Sequence, residues 1–250
     1  MRADFRNRRL HKAASTQTKP ASHQRTATND ERVFSLATEI EQQLSTMCGS
    51  TTSDLRAMRR EFSRRLRAAE AGTVLGVAEQ LLKTPGTGCR FVVYELIHHH
   101  PAALASLDVK LLARLGEGIA SWGDVDCFGV FLSGPAWRAR LMEDSVVHGW
   151  ARSEDRSWRR AALVSTVPLN SKSRGGVGDA RRTLGICRLL ERDRDPMVVK
   201  ALSWALRELA KRDPGAVRKY VAARKDVLPA LVLREVQNKL TTGLKNPKKR

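Results

Sequence analysis

Ser121-Trp122-Gly123-Asp124-Val125-Asp126 is the stretch that organises the chain. On a helix, Trp122 and Asp126 are one turn apart, so an aromatic ring and a carboxylate share one face and can meet one target. Two later segments supply cations and a further tryptophan: Trp158-Arg159-Arg160-Ala161-Ala162 and Lys200-Ala201-Leu202-Ser203-Trp204-Ala205-Leu206-Arg207-Glu208. Together the three segments suggest a DNA-binding groove that holds one carboxylate.

The spacing of these segments predicts a repeat. Arg90, Arg160 and Lys200 each open an apolar run and are separated by 70 and 40 residues, with Asp126 near the midpoint of the longer gap. A period of about 35 to 40 residues that contains two helices is typical of HEAT or armadillo units. We therefore predict an all-α fold, a HEAT-like or armadillo-type helical-repeat solenoid with a concave basic face. Asp126, Arg160, Lys200 and Trp204 would share that face.

Nearly every segment after residue 30 is predicted to be helical from its apolar periodicity and its capping residues. Phe91–Ile97 is rich in β-forming residues, but its helical surroundings favour a buried helix. The other expected elements that bear on the site are helices over Asp108–Trp122, over Asp124–Leu132 with Asp124 as its cap, and from Gly134 to Trp150, and a polar loop over Asn170–Gly178.

Composition divides the chain into three parts. Residues 1–30 are rich in Arg, Ser and Thr without a sustained apolar period, which predicts a disordered basic arm. An organelle transit peptide is the alternative for this arm. Residues 31–240 form the predicted repeat domain, and residues 241–250 form a basic tail.

The charge of the chain predicts a polyanionic partner. The formal net charge is +19, and residues 31–238 alone retain +9, so the folded body is basic without its ends. Six arginines lie between Arg56 and Arg67. They form either a solvated face or a set of phosphate contacts.

Cysteine and histidine usage argues against a metal or a disulfide framework. The four cysteines are widely separated and form no CxxC pair, so each is predicted to be a small buried residue of a reduced protein. His98, His99 and His100 would point in different directions around a helix, and no further ligand follows at metal-binding spacing. No metal and no cofactor are expected.

No signal peptide and no apolar run of about 18 residues is present in the sequence. We therefore expect an intracellular protein without membrane association. Its expected location is the cytoplasm or nucleoid if the source is bacterial and the nucleus if it is eukaryotic.

The three segments also carry a family resemblance. The Trp-x-x-x-Asp spacing of Trp122 and Asp126, the Trp158–Ala162 helix start and the Lys200–Glu208 helix resemble DNA alkylation repair enzymes of the AlkD type over about residues 55–235. The resemblance implies a HEAT-like-repeat DNA glycosylase that excises positively charged N-alkylated purines. It implies that Asp126 is catalytic, that Trp122 and Trp204 pack against the sugar of the damaged nucleotide, and that Arg160 contacts phosphate.

The chemistry of the residues agrees with this expectation. A carboxylate weakens binding in a DNA groove, so it needs another reason to be there, and one reason is stabilisation of a developing cation. Cleavage of a glycosidic bond passes through an oxocarbenium-like sugar, which an ionised aspartate stabilises. A cationic purine leaves as a neutral base, so a second acid is not required.

The sequence therefore predicts a monomeric glycosylase that hydrolyses the N-glycosidic bond of 3-methyladenine-type and 7-methylguanine-type bases in duplex DNA. Asp126 is the expected catalytic residue. The expected DNA-binding residues are Trp122, Trp204, Arg160, Arg159, Lys200 and Arg207. Two alternatives remain open: a non-catalytic HEAT-repeat scaffold for nucleic acid or an acidic protein, and a purely structural ion pair between Asp126 and Arg160. Trp150 and Trp158 are expected to be packing residues.

Overall fold

The computed structural model describes residues 28–47, 49–83 and 90–247. Residues 1–27 of the predicted basic arm, the last three residues of the predicted tail, and Cys48 and Cys89 lie outside this part. The described residues contain helices and no strand, which confirms the predicted all-α class. Phe91–Ile97 is helical, as its surroundings predicted.

The α-helices are numbered in chain order. They are α1 (Asn29–Thr46), α2 (Thr52–Arg65), α3 (Ala71–Lys83), α4 (Arg90–His98), α5 (Pro101–Ala105), α6 (Val109–Gly116), α7 (Trp122–Cys127), α8 (Gly134–Arg138), α9 (Asp144–Ala151), α10 (Arg156–Val164), α11 (Val167–Asn170), α12 (Ala180–Leu190), α13 (Pro196–Leu209), α14 (Pro214–Ala223) and α15 (Ala230–Thr242). A π-helical segment (Phe128–Ser133) joins α7 to α8, and a 3-10 turn (Lys172–Arg174) follows α11.

The helices form two layers. In the first, which we call the inner layer, α4, α7, α10, α13 and α15 pack side by side in chain order, with α2 against α4. In the second layer, α3, α9, α12 and α14 each pack on the inner helix that follows, and α6 packs on the π-helical segment. Successive inner helices begin 32 to 40 residues apart. This regular stacking of helix pairs is the predicted helical-repeat solenoid.

Apolar side chains between the two layers form one continuous core. Trp150 and Trp158 contact each other with ring centroids 5.2 Å apart, and both contact Phe128 at 5.8 and 5.7 Å. They are packing residues, as predicted. Gly116 is needed beneath this cluster, because a Cβ there would lie 2.5 Å from Cη2 of Trp158.

The prediction of one helix over Asp108–Trp122 is wrong. Helix α6 ends at Gly116, and Gly118 adopts a left-handed backbone with φ +69°. The Arg90 guanidinium donates to the carbonyls of Leu115 (3.2 Å) and Glu117 (2.6 Å), so it satisfies acceptors that a continuing helix would have used. A new helix, α7, then begins at Trp122.

The prediction of one helix from Gly134 to Trp150 is also wrong. Helix α8 ends at Arg138, and Arg140 has a positive φ of 63°. The carbonyl of Trp137 accepts from the Arg182 guanidinium at 2.7 Å, and the Trp137 indole donates to Asp144 at the start of α9 at 2.9 Å. Tertiary contacts at Trp137 therefore set this helix end.

The expected helix over Asp124–Leu132 begins earlier and changes its winding. Residues Phe128–Ser133 are π-helical, and the Ser133 hydroxyl donates back to the Phe128 carbonyl at 3.4 Å. A Cβ at Gly129 would lie 2.6 Å from Val164 of α10. The wider π-helical turn occurs where the backbone packs closely on α10, directly after Asp126.

Gly116→Ala is expected to lower the free energy of unfolding by about 1 to 3 kcal/mol, because the new methyl group overlaps the Trp158 ring. Gly149→Ala is the matched control, since nothing lies within 4 Å of a Cβ at that exposed helical position. The control should be neutral or stabilising by up to about 1 kcal/mol. Urea unfolding of both variants checks this; equal stability would contradict the close packing described.

Candidate functional site

Arg160 joins three successive inner helices. From α10, its Nε donates to Asp126 Oδ1 at 2.9 Å and its Nη2 donates to Asp126 Oδ2 at 2.8 Å, so the carboxylate of α7 is bound at both oxygens. Its Nη1 donates to the carbonyl of Met197 in the first turn of α13 at 2.5 Å. The Arg160 side chain is 4% exposed. Asp126, Arg160 and the first turn of α13 are therefore in direct contact, with Arg160 buried between the helices.

Trp122 lies beside this ion pair. Its ring centroid is 4.3 Å from Cζ of Arg160 and 4.5 Å from Nζ of Lys200, so two cations lie against one ring. Trp122 is 40% exposed, although it is a large aromatic residue. The arrangement leaves an aromatic surface, a carboxylate and a lysine accessible together.

Local sequence explains why Trp122 and Asp126 share a face. Ser121 is the N-cap of α7, and its hydroxyl accepts from the backbone N–H of Asp124 at 3.1 Å while donating to the Asp124 carboxylate at 2.8 Å. The prediction that Asp124 is the cap is therefore wrong, because the helix begins two residues earlier. Asp124 is the partner of the cap, and Trp122 occupies the first helical position.

Burial and charge set the ionisation of the two neighbouring groups in α7. Partial burial raises the pKa of Asp126, and this effect exceeds the opposing effect of the hydrogen bonds and charge of Arg160. Burial and the nearby Asp126 raise the pKa of Cys127 to about 12. The Cys127 thiol therefore stays protonated at neutral pH and is not a nucleophile.

Asp126 differs from two other carboxylates that link inner helices. Glu95 of α4 pairs with Arg56 and Arg59 of α2, and Glu235 of α15 pairs with Arg207 of α13. The Glu95 and Glu235 side chains are 3% and 6% exposed, whereas Asp126 is 30% exposed. Of these three paired carboxylates, Asp126 alone is accessible to a large ligand.

The remaining sequence-predicted residues have different surroundings. Nε of Arg159 donates to Asp193 at 2.7 Å, and Nη1 donates to the carbonyls of Ser153 and Glu154. Arg207 donates to Ser203 at 3.1 Å and lies 3.6 Å from Glu235; burial lowers its pKa.

Trp204 lies in α13, one turn after Lys200. It is partly buried and packs against the core, whereas Trp122 is exposed.

Arg56 is one of the six arginines that the sequence offered as phosphate contacts, but its neighbour Arg174, on the same α2 side of Asp126, was not singled out. Cζ of Arg56 lies 5.3 Å from the ring centroid of Phe91, and Cζ of Arg174 lies 5.1 Å from that of Phe131. The two phenylalanine rings meet edge to face, 6.2 Å apart. The only sequence signal for Arg174 was its position in the polar Asn170–Gly178 loop.

The three consecutive histidines are used in packing and capping. His98 Nδ1 lies 2.9 Å from the Phe131 carbonyl, and burial lowers the pKa of both His98 and His99. His100 accepts from Ala103 N–H at 3.1 Å and caps α5. In the part of the chain that the structure describes, no group of three or more His, Cys, Asp or Glu side chains is placed to hold a metal ion.

No helix of that part is long and apolar enough to cross a membrane.

The family model for DNA alkylation repair enzymes matches residues 16–240. This range includes every residue of the site and all inner-layer helices except the last two residues of α15. No curated protein is significantly similar to the chain. The all-helical repeat, the basic inner layer and the match over most of the chain lead to one conclusion: the chain belongs to the DNA alkylation repair enzyme family, and its role is in the repair of alkylated DNA.

Proposed function

We propose that the protein is a DNA glycosylase that hydrolyses the N-glycosidic bond of cationic N-alkylated purines in duplex DNA, as the first step of base excision repair. The observation that carries the proposal is the accessible Asp126 carboxylate, held beside the exposed ring of Trp122 between basic helices. The expected lesions are of the 3-methyladenine and 7-methylguanine type. The protein is proposed to act as a monomer.

In this proposal, Asp126 stabilises the oxocarbenium character of the sugar and orients the attacking water. The alkylated base already carries the positive charge that a general acid would otherwise create, so it leaves as a neutral molecule. One carboxylate is then sufficient. The raised pKa of the Cys127 thiol argues against a covalent mechanism through that neighbour.

Arg160 is proposed to have two roles. In the free protein it fixes both oxygens of Asp126 and so orients the carboxylate. It also lowers the cost of placing an anion near DNA, because the pair is close to neutral. The family resemblance implies that Arg160 also contacts a phosphate. Its guanidinium must then donate hydrogen bonds to Asp126 and to the DNA at the same time.

Trp122 and Lys200 are proposed to bind the nucleotide directly, with the ring against the sugar and the ammonium group near a phosphate. Trp204 is proposed to contribute from its partly exposed edge. Arg159 and Arg207 are each committed to an acidic partner, so we propose that they mainly hold neighbouring repeats together.

A non-catalytic DNA-binding scaffold is the second candidate. The bidentate Asp126–Arg160 contact favours it, because a structural ion pair between helices has the same geometry. The two candidates differ in whether Asp126 is needed for chemistry or only for folding.

Asp126→Asn is expected to reduce base excision by about 100-fold to 1000-fold, because the charge next to the developing cation is lost with almost no change in volume. Affinity for undamaged duplex should be retained or increased, since Arg160 is then no longer neutralised. Release of free methylated base from alkylated DNA and fluorescence anisotropy check the two effects. Asp124→Asn, the same substitution in the same helix, should excise at the wild-type rate. Wild-type excision by Asp126→Asn, or none by the wild-type protein, would favour the scaffold.

The single-turnover excision rate is expected to fall with decreasing pH through the pKa of Asp126, which lies above the 3.8 of an ordinary aspartate. Only the ionised carboxylate stabilises the oxocarbenium. Because the pKa of Asp126 is higher in the folded than in the unfolded protein, its contribution to stability is largest below the unfolded-state pKa. That contribution is lost as the pH rises through the folded-state pKa. Activity and this contribution to stability therefore change in opposite directions. Rates and melting temperatures measured over the same pH series separate them; a rate loss that follows unfolding would remove Asp126 as its cause.

Trp122→Ala is expected to lower excision about tenfold or more through lost stacking, while reducing the free energy of unfolding by less than about 2 kcal/mol. Trp137→Ala, which empties a fully buried position, should cost about 3 to 5 kcal/mol. Trp204→Ala should fall between them in stability, because Trp204 is partly buried. Paired unfolding and excision assays test this; a core-like loss of stability in Trp122→Ala would show that the ring serves packing.

A further inference from the structure

The cluster of Arg56 and Arg174 over Phe91 and Phe131 contains more positive charge than its own carboxylate balances. Glu95 is bound by both Arg56 (3.1 Å) and Arg59 (3.0 Å), so both of its oxygens are occupied by α2. Within the described residues, no acidic side chain forms an ion pair with Arg174. Three guanidinium groups therefore face one buried carboxylate. Burial and the nearby Arg56 lower the pKa of Arg174, as expected for a cation held close to another cation.

Hydrogen bonds from two other arginines fix the backbone around Arg174. Arg138 donates to the carbonyls of Pro168 and Arg174. From the other side, Arg212 donates to the carbonyls of Asn170 (2.8 Å) and Gly176 (2.7 Å). The loop is thus fixed by arginines from two different repeats.

The end of the Asn170–Gly178 loop is closely packed. A Cβ at Gly176 would lie 2.5 Å from the Pro168 carbonyl oxygen, and the Gly176 N–H donates to the Ser171 carbonyl at 2.8 Å. A fixed backbone that presents a partly buried, unpaired cation is a preorganised arrangement, which lowers the entropic cost of binding an anion.

The order of the inner helices places this cluster relative to the candidate site. Arg56 lies on α2 and Phe91 on α4, before Asp126 on α7, whereas Lys200 lies on α13, beyond it. Phe131 lies in the π-helical segment that directly follows α7. A polyanion that crosses the inner layer past Asp126 would therefore meet Lys200 on one side and the Arg56–Arg174 cluster on the other.

We propose that Arg56 and Arg174 form a second anion-binding site of the inner layer, which takes a phosphodiester of the duplex on the α2 side of Asp126. The identity of the anion as DNA phosphate rests on the proposed function. The planar guanidinium groups provide forked donors that match phosphate oxygens, and the phenylalanine rings beneath them hold the two planes against the surface. The Asn170–Gly178 loop is then a part of the DNA interface.

The test uses the full chain and measures duplex affinity across a series of salt concentrations. Arg174→Ala should reduce the slope of log K against log salt by about 0.9 and weaken binding about eightfold at about 0.1 M salt, with little effect near 1 M. Lys200→Ala should show a similar loss. The matched control is Lys172→Ala, which removes an exposed cation from the same 3-10 turn and should change the slope far less.

A second variant separates binding from folding. Arg56→Gln removes the charge that repels Arg174 but also an ion pair with Glu95. Its melting temperature and its affinity for duplex are therefore both measured, so that a loss of binding is distinguished from a loss of stability. Arg174→Ala should leave the melting temperature unchanged or raised, because like-charge repulsion is relieved. If Arg174→Ala binds with the wild-type slope while Lys200→Ala loses about one unit, the second site is wrong and the glycosylase proposal is untouched.

The anion-binding site and the glycosylase activity can also fail separately in the other direction. If Arg174→Ala loses slope and affinity but the wild-type protein releases no base, the anion site stands and the proposed glycosylase activity fails. Competition with polyglutamate tests the chemistry of the ligand. If polyglutamate displaces duplex as well as a phosphate polymer of equal charge does, and Arg174 is needed for both, the assignment to phosphodiester is overturned.

Discussion

The Arg160 guanidinium is the contact on which the candidate site depends. It is almost fully buried, binds both oxygens of Asp126 and reaches the first turn of α13, so it fixes three inner helices relative to one another. Removing it would leave a partly buried carboxylate without its partner, which is costly. Helix packing and the geometry of the acidic residue are therefore set by the same side chain.

Arginine is used in the same way along the rest of the inner layer. Arg56 and Arg59 join α2 to α4 through Glu95, and Arg207 joins α13 to α15 through Glu235. These arginines thus hold repeats together, and only the cations without such an acidic partner are fully available to a ligand. Counting basic residues therefore overestimates the surface available to DNA.

The sequence predicted the features that depend on local spacing. Trp122 and Asp126 share a face because they are one helical turn apart, and the spacing of Arg90, Arg160 and Lys200 predicted the stacked repeat, although only Arg90 is the first residue of a helix. It failed where a distant residue decides the local structure. Helix α8 ends where Arg182 reaches the Trp137 carbonyl, and α6 ends where Arg90 reaches Leu115 and Glu117. The cluster of Arg174 with Phe131 was missed for the same reason, because 43 residues separate these two side chains.

Under the proposed glycosylase function, the pairing of Asp126 with Arg160 explains how one carboxylate could serve both binding and chemistry. An isolated anion would repel the DNA backbone, whereas the Asp126–Arg160 pair is nearly neutral and so does little to oppose binding. If a phosphate then draws Arg160 toward itself, the carboxylate is less neutralised while the sugar develops positive charge. The negative field would thus increase when the substrate is bound and stay small in the free protein. A site of this kind would stabilise the transition state more than it disfavours the ground state, which is the condition for catalysis.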